Sequence, residues 1–412
     1  MKILHTADWH LGKRLDRFSR LEEQKQVLQE ICDIADAENV DAVLIAGDLY
    51  DSFNPPVEAT ELFYKTLKTL SRDGRRAVIA IAGNHDSPDR IAAPDPLARE
   101  CGIILAGYPN AVIPPFALES GLTLARSDAG FIELQLPEID YPLRLILTPY
   151  ANEGRLRTFL GFDDTESELR NLLAQQWRQT AEEFCDSKGV NILMTHLFLI
   201  PKNRQAVFEE PDDEKPILHV GGLQAIYTEN IPAQIQYVAL GHLHRRQTIA
   251  KKPCPMVYSS SPLSYSFNEV DQDKYVMLLT AAPGKEIEFK EIKLKSGRRL
   301  LRKSFEDIKT ADAWLKKHPE SFVELTLITD DFISQADRKA LQQSHDGIVA
   351  VIPKIRNAKA ETSSRYSAVN LERSLEELFV DYFQQRYDGQ QPGKDIMEIF
   401  REVLAADEDQ DK

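Results

Sequence analysis

Cysteine is scarce in this chain. The four present, Cys32, Cys101, Cys185 and Cys254, stand far apart with no C-x-x-C pair, a spacing that suits neither a disulfide framework nor a thiolate zinc site. They read as small buried hydrophobes. Long apolar runs are missing too. No stretch of about 18 apolar residues is available to span a bilayer, and the N-terminal segment meets Asp8 too early to hold a signal-peptide core. A cytoplasmic protein without membrane contact is therefore expected. Positive charge is in deficit, 50 basic against 65 acidic residues for a net −15, which excludes a surface uniformly basic enough to coat nucleic acid. A local basic groove, or an acidic site that requires cations, remains compatible with that balance. No solenoid-period repeat is present. At 412 residues the chain exceeds one ordinary core, so two or three domains are expected.

From residue 1 to about 245, short β-branched runs alternate with helical stripes. KILHTA, DAVLIAG, RRAVIAIAG, GVNILMTH and IQYVALGH read as strands buried on both faces. Val27, Leu28, Ile31, Ile34 and Ala35 mark a helix starting at Leu21. The alternation predicts an α/β domain with a layered sheet core. PMVYSSSPLSYSF and KYVMLLTA are expected to complete the sheet to residue 281. A change of character follows at PGK and KLKSGRRLLRK. Residues 282–355 then read as strand–helix–strand–helix–strand, with helices near Ala311–Lys317 and Ser334–Gln343 and strands SFVELTLIT and GIVAVIPK, a small α/β domain. Residues 356–368 have linker composition. In 369–412, Leu371, Leu375, Leu378, Phe379, Tyr382 and Phe383, then Ile396, Ile399, Phe400, Val403 and Leu404, form two amphipathic stripes around DGQQPG, with Asn370 as a cap.

Histidine is also sparse, nine in all, which makes VALGHLHRR conspicuous. In an extended strand an H-x-H spacing turns both imidazoles to one side. Each apolar strand ends in similar donors: Asp8 and His10; Asp48, with Asp51 behind it; Asn84, His85 and Asp86; His196; His242 and His244. Ligands at the carboxyl ends of strands are where open α/β sheets put their sites. Gly47, Gly83 and Gly241 permit the tight turn that brings the next side chain into the cleft. Oxygen and imidazole donors without thiolate suit Mn²⁺, Fe²⁺ or Mg²⁺. Seven ligand-type residues are too many for one ion and fit two that share a carboxylate. Such a pair clamps a phosphate and activates water, so phosphoester hydrolysis is the expected reaction. His5, His219, His318 and His345 read instead as hydrogen-bonded core residues.

In order, D-x-H, G-D-x-x-D, G-N-H-D, H and G-H-x-H resemble the signature of the calcineurin-like binuclear metallophosphoesterases. The resemblance implies a layered β-sandwich flanked by helices over 1–281. It implies that Asp8, His10, Asp48 and His244 hold one metal and that Asp48, Asn84, His196 and His242 hold the other, bridged by Asp48. It makes His85 a catalytic non-ligand, with Asp51, favoured over Asp86, orienting its second ring nitrogen. DWHLGK, AGDLYDS, AGNHDS and ALGHLH are similar to the SbcD family, the nuclease subunits of bacterial double-strand-break repair complexes. That implies a Mn²⁺-dependent nuclease acting on DNA duplex ends (3′ to 5′), single strands and hairpins, with ATP spent by an SbcC-type coiled-coil ATPase. It also implies residues 282–355 as a cap over the cleft, 369–412 as the ATPase-binding helices, and a homodimer within a heterotetramer. ELFYKTLKTL, 61–70, is the candidate dimer contact. Lys13, Arg14, Arg17 and Arg20, with Lys293, Lys295, Arg298, Arg299, Arg302 and Lys303, are the candidate phosphate-gripping residues. A phosphatase or small-phosphodiester hydrolase of the same fold, and a DNA-binding scaffold with little chemistry, are the competing functions.

Overall fold

The computed structural model describes residues 1–151, 166–202, 226–329 and 335–355, with a few positions between 379 and 397. Residues 1–354 form one compact unit and 355–412 another. In the second, Phe379 and Phe383 bring their rings to 6.1 Å. The expected linker 356–368 and most of the expected helices of 369–412 lie outside the described residues, as does His219. Among the described residues no helix is long and apolar enough to cross a membrane.

Two sheets face each other. The first has six strands in the order Glu288–Lys293, Tyr275–Thr280, Lys2–Thr6, Ala42–Ala46, Ala77–Ile81 and Ile103–Ala106, the last four mutually parallel. The second has eight, and its centre, Leu143–Thr148, Val190–Thr195, Tyr237–Leu240 and Met256–Tyr258, is also parallel. The β-branched runs form these strands because both faces are covered, which removes any need for polar alternation. Ile3, Leu44, Ile79, Ile104, Leu145, Ile192 and Ala239 fill the layer between the sheets. The opposite faces, Leu4, Val43, Ile45 and Val78, pack under the helices Leu21–Ala37 and Val57–Ser71. Helix Glu166–Phe184 covers the second sheet, burying Trp177 against Leu193 and Val238. The result is the helix–sheet–sheet–helix layering expected from the sequence.

A three-stranded sheet, Arg299–Phe305, Ser321–Thr329 and Ile348–Ile355, carries helices Ile308–Leu315 and Gln335–Ser344. It has its own core around Ala311, Val323, Leu325, Leu327 and Leu341. Leu15, Leu300 and Phe322 join it to the N-terminal segment.

Three expectations need correction. The first sheet does not end at residue 281: Glu288–Lys293 continues it by pairing with Tyr275–Thr280. In PMVYSSSPLSYSF only Met256–Tyr258 is a strand. Beyond it Ser260 takes a left-handed φ of 88°, and the Ser260 and Ser261 hydroxyls donate to nearby backbone carbonyls, competition that disfavours a ladder. Arg20 is no phosphate grip, since it is 1% exposed and bonded to Glu23 and the Ser264 carbonyl. Within 61–70, Phe63, Leu67 and Leu70 are buried in the chain's own core, because the helix needs that face to cover the sheet, while Glu61, Lys65, Lys68 and Thr69 are exposed.

Candidate metal centre

All five donor blocks leave their strands at one edge of the two-sheet core. The turns that carry them are bent in an uncommon way: Asp8, His10, Asp48 and His242 have φ of 55°, 45°, 48° and 102°. Non-glycine residues reach that region at a cost of about 1–3 kcal/mol each, and such strain concentrates at functional sites. Glycine serves here mainly by leaving space. A Cβ on Gly83 would lie 2.1 Å from Asp48 Oδ1, and one on Gly241 would lie 1.8 Å from the Ala46 carbonyl.

Asp48 is the hub. Its Oδ1 accepts the His85 backbone N–H at 2.9 Å. Oδ2 lies 3.4 Å from His10 Nε2 and 3.3 Å from His196 Nε2, between two groups of donors. On one side His10 Nε2 meets His244 Nε2 at 2.9 Å. On the other, Asn84 Oδ1 is 2.9 Å from His196 Nε2 and 3.1 Å from His242 Nδ1. Asp8 Oδ1 accepts the His242 backbone N–H at 2.7 Å, while Asp8 Oδ2 is buried without a hydrogen-bond partner among the described residues. Ligand atoms of Asp8, His10 and His244, and of Asp8, Asp48 and His196, fall within 4.8 Å of one another, so Asp8 touches both groups.

The electrostatics call for a cation. Two carboxylates buried this deeply are costly unless compensated. Burial raises the Asp8 carboxyl. Burial pushes the same way at Asp48, but His196, His85 and His10 outweigh it and hold that carboxyl well below its usual range. Burial keeps His10 neutral, its pKa near 3. At His196 burial is outweighed by Asp48 and Asp8, which raise it to about 9. A site that draws a proton onto a fully buried imidazole is one whose donor set fits divalent cations.

His85 stands apart, half-buried where the others are covered. Its Nδ1 is 2.9 Å from the backbone carbonyl of Asp51, not from a carboxylate. The Asp51 side chain is engaged elsewhere, 2.6 Å from Lys13 Nζ and 3.6 Å from His10 Nδ1. The carboxylate of Asp86 is bonded to backbone donors. It accepts the backbone N–H groups of Leu49, Tyr50 and Gly83 at 3.0, 2.9 and 2.7 Å, and so ties two ligand-bearing turns together. Burial and the nearby Asp48 charge raise the Asp86 carboxyl to about 6.

Sequence reasoning missed Glu269 and Lys274. Glu269 Oε1 lies 3.2 Å from His244 Nδ1 and accepts the Tyr265 backbone N–H at 3.0 Å, and Glu269 is ion-paired with Lys274. Burial opposes its charge, yet Lys274 and His244 hold the carboxyl well below the usual range. Nothing in FNEVDQDK separates these two from solvated loop charges. The other described histidines have partners: His5 bonds Tyr237 and the Leu240 carbonyl, and His318 and His345 face the carbonyls of Trp314 and His318.

Fold and centre together define a metallophosphoesterase. The family model described as calcineurin-like phosphoesterase matches residues 1–246. The SbcD subunit of nuclease SbcCD from Bacillus subtilis (strain 168) is 34% identical over 417 residues, covering 100% of both chains. The protein of that name from Rhodobacter capsulatus is 34% identical over 69% of this chain and 67% of its own. That of Escherichia coli (strain K12) is 27% identical over 92% of each. The chain belongs to the calcineurin-like phosphoesterases and, within them, to the family of SbcD subunits of the SbcCD nuclease.

Proposed function

We propose that this chain is the nuclease subunit of an SbcCD-like complex and hydrolyses DNA phosphodiesters with two divalent cations, Mn²⁺ first among them and Mg²⁺ or Fe²⁺ as alternatives. The observation that carries the reading is Asp48 Oδ2, set 3.4 and 3.3 Å from two imidazoles that belong to separate donor groups. Asp8, His10, Asp48 and His244 would hold one cation, and Asp48, Asn84, His196 and His242 the other. When bound, such a pair supplies Lewis-acid activation of water and neutralises charge on the phosphoryl oxygens. His85 is the general acid. Its Nδ1–H donates to the Asp51 carbonyl, so a proton delivered to the leaving oxygen is one that Nε2 has first taken up. Asp51 and Asp86 act by positioning, the first on His10 and His85, the second on the turns beneath Asp48 and Asn84.

Family membership supports the rest of the assignment. The substrates are duplex ends degraded 3′ to 5′, single strands and hairpins, and the setting is DNA repair, replication and recombination in the cytoplasm. An SbcC-type coiled-coil ATPase spends the ATP. Residues 1–281, with the sheet's extension to Lys293, form the nuclease domain; the remainder to 355 caps the cleft; 356–368 link; and 369–412 grip the ATPase. The chain dimerises within a heterotetramer, through the outward side of helix Val57–Ser71, where Val57 is 78% exposed. Exposed Arg14, Arg17, Lys295, Arg299 and Lys303 remain to meet phosphates.

The test is Mn²⁺-dependent cleavage of end-labelled duplex DNA by the full chain, beside His85→Asn and a small chromogenic phosphodiester. DNA cleavage that falls about 10²–10⁴-fold in His85→Asn, the usual worth of general acid catalysis, is expected. Turnover of the small ester alone would make the protein a phosphatase of the same fold. Inactivity on both substrates, even with the ATPase added, would leave only a DNA-binding scaffold.

A further inference from the structure

The two imidazoles that meet at 2.9 Å, His10 and His244, each have a carboxylate behind them, at different range. Behind His10 stands Asp51, its Oδ1 3.6 Å from Nδ1 and 2.6 Å from Lys13 Nζ. Behind His244 stands Glu269, with Oε1 3.2 Å from Nδ1 and Oε2 paired with Lys274. The contact at His10 is too long for a hydrogen bond, and His10 Nδ1 is buried without such a partner among the described residues; only the arrangement at His244 is a histidine–carboxylate–lysine relay. It is deeply built. Glu269 is 3% and Lys274 7% exposed, and the Lys274 ammonium also donates to the His244 backbone carbonyl and to Ser261 Oγ, both at 2.9 Å. One ion pair thus holds His244 twice, by its ring nitrogen and by its own carbonyl. His196, in the other donor group, has no such relay among the described residues: its Nδ1 is held at 2.8 Å by the Ala46 carbonyl.

A buried ion pair is seldom the most stabilising way to fill its volume. A carboxylate behind an imidazole fixes the tautomer and makes the opposite nitrogen a better donor to a cation. We propose that Glu269, locked by Lys274, is a positioning residue for one cation site alone: it accepts Nδ1–H from His244 and leaves Nε2 bare towards the position shared with His10. The two cation sites are then unequal. In one site His244 depends on a side-chain ion pair and in the other His196 on a backbone carbonyl, so a change at Glu269 separates them. This inference rests on the metal-centre reading above.

The experiment is calorimetric titration of the full chain with Mn²⁺, without DNA, comparing wild type, Glu269→Gln and Asn84→Ala. Wild type is expected to bind two equivalents. Glu269→Gln should weaken one by about 10–100-fold, the usual effect of losing such a partner, and leave the other unchanged, while Asn84→Ala weakens the opposite one. Unchanged binding in Glu269→Gln, or equal weakening of both equivalents, overturns the inference and leaves the centre standing. Absence of Mn²⁺ binding in wild type overturns the centre itself. Should Glu269→Gln fail to fold by circular dichroism, nitrogen NMR of histidine-labelled, metal-free wild type decides the matter. His244 protonated on Nδ1 supports the assignment, and His244 protonated on Nε2 removes it.

Discussion

Gly83 has no room for a methyl group, because Asp48 Oδ1 and the Asp48 backbone nitrogen would lie 2.1 and 2.2 Å from its Cβ. Gly83→Ala must therefore displace the Asp48 carboxylate or the turn beneath it. A loss of about 1–3 kcal/mol is expected from overpacking, seen as a lower melting temperature of the metal-free protein, together with weaker Mn²⁺ binding. A variant as stable and as avid as wild type would show that Asp48 need not sit where it does. Sequence reading found the ligand-type residues because each follows an apolar strand and a turn, a local signal. It could not assign the supporting atoms. Asp51 is the favoured partner of His85, and it does face that ring, yet through its carbonyl, because its carboxylate is taken by Lys13. Backbone carbonyls leave no trace in residue identity.

Helix Glu166–Phe184 holds the floor of the second sheet through Trp177, which is fully buried and donates its indole N–H to Thr148 Oγ1 at 2.8 Å. Thr148 and Thr195 are register partners at the ends of adjacent strands, and His196 follows directly. Trp177→Ala should cost about 3–5 kcal/mol in denaturant unfolding, and the cavity under that strand end should lower DNA cleavage along with stability. Full activity in a strongly destabilised variant would uncouple the helix from the centre. At this scale the parallel strands were legible, since continuous β-branched runs have few other uses. The segment after Tyr258 was not, because its serines read as ordinary turn or strand residues until Tyr265 and Glu269 are seen to close over Trp9 and His244.

Across the whole molecule the net charge of −15 places affinity for DNA in local basic positions. Cleavage should consequently fall steeply with salt, the binding slope growing by about 0.7–0.9 per phosphate contact; salt-indifferent turnover would favour a small substrate. Mn²⁺ at about a hundred times its dissociation constant should add roughly 2.7 kcal/mol of stability, read as a higher melting temperature, and no change would count against a preformed centre. The layered fold and the family were legible from sequence, because strand periodicity and five donor blocks are properties of short segments. Sequence alone determined which residues could ligate and in what order. Only the tertiary structure decided that Asp48 stands between two imidazole groups, that Arg20 serves the core, and that Glu269 and Lys274, 25 and 30 residues from His244 along the chain, grip it. Those outcomes depend on which charges lose water when the sheets and loops close, and burial is settled by packing across the whole fold.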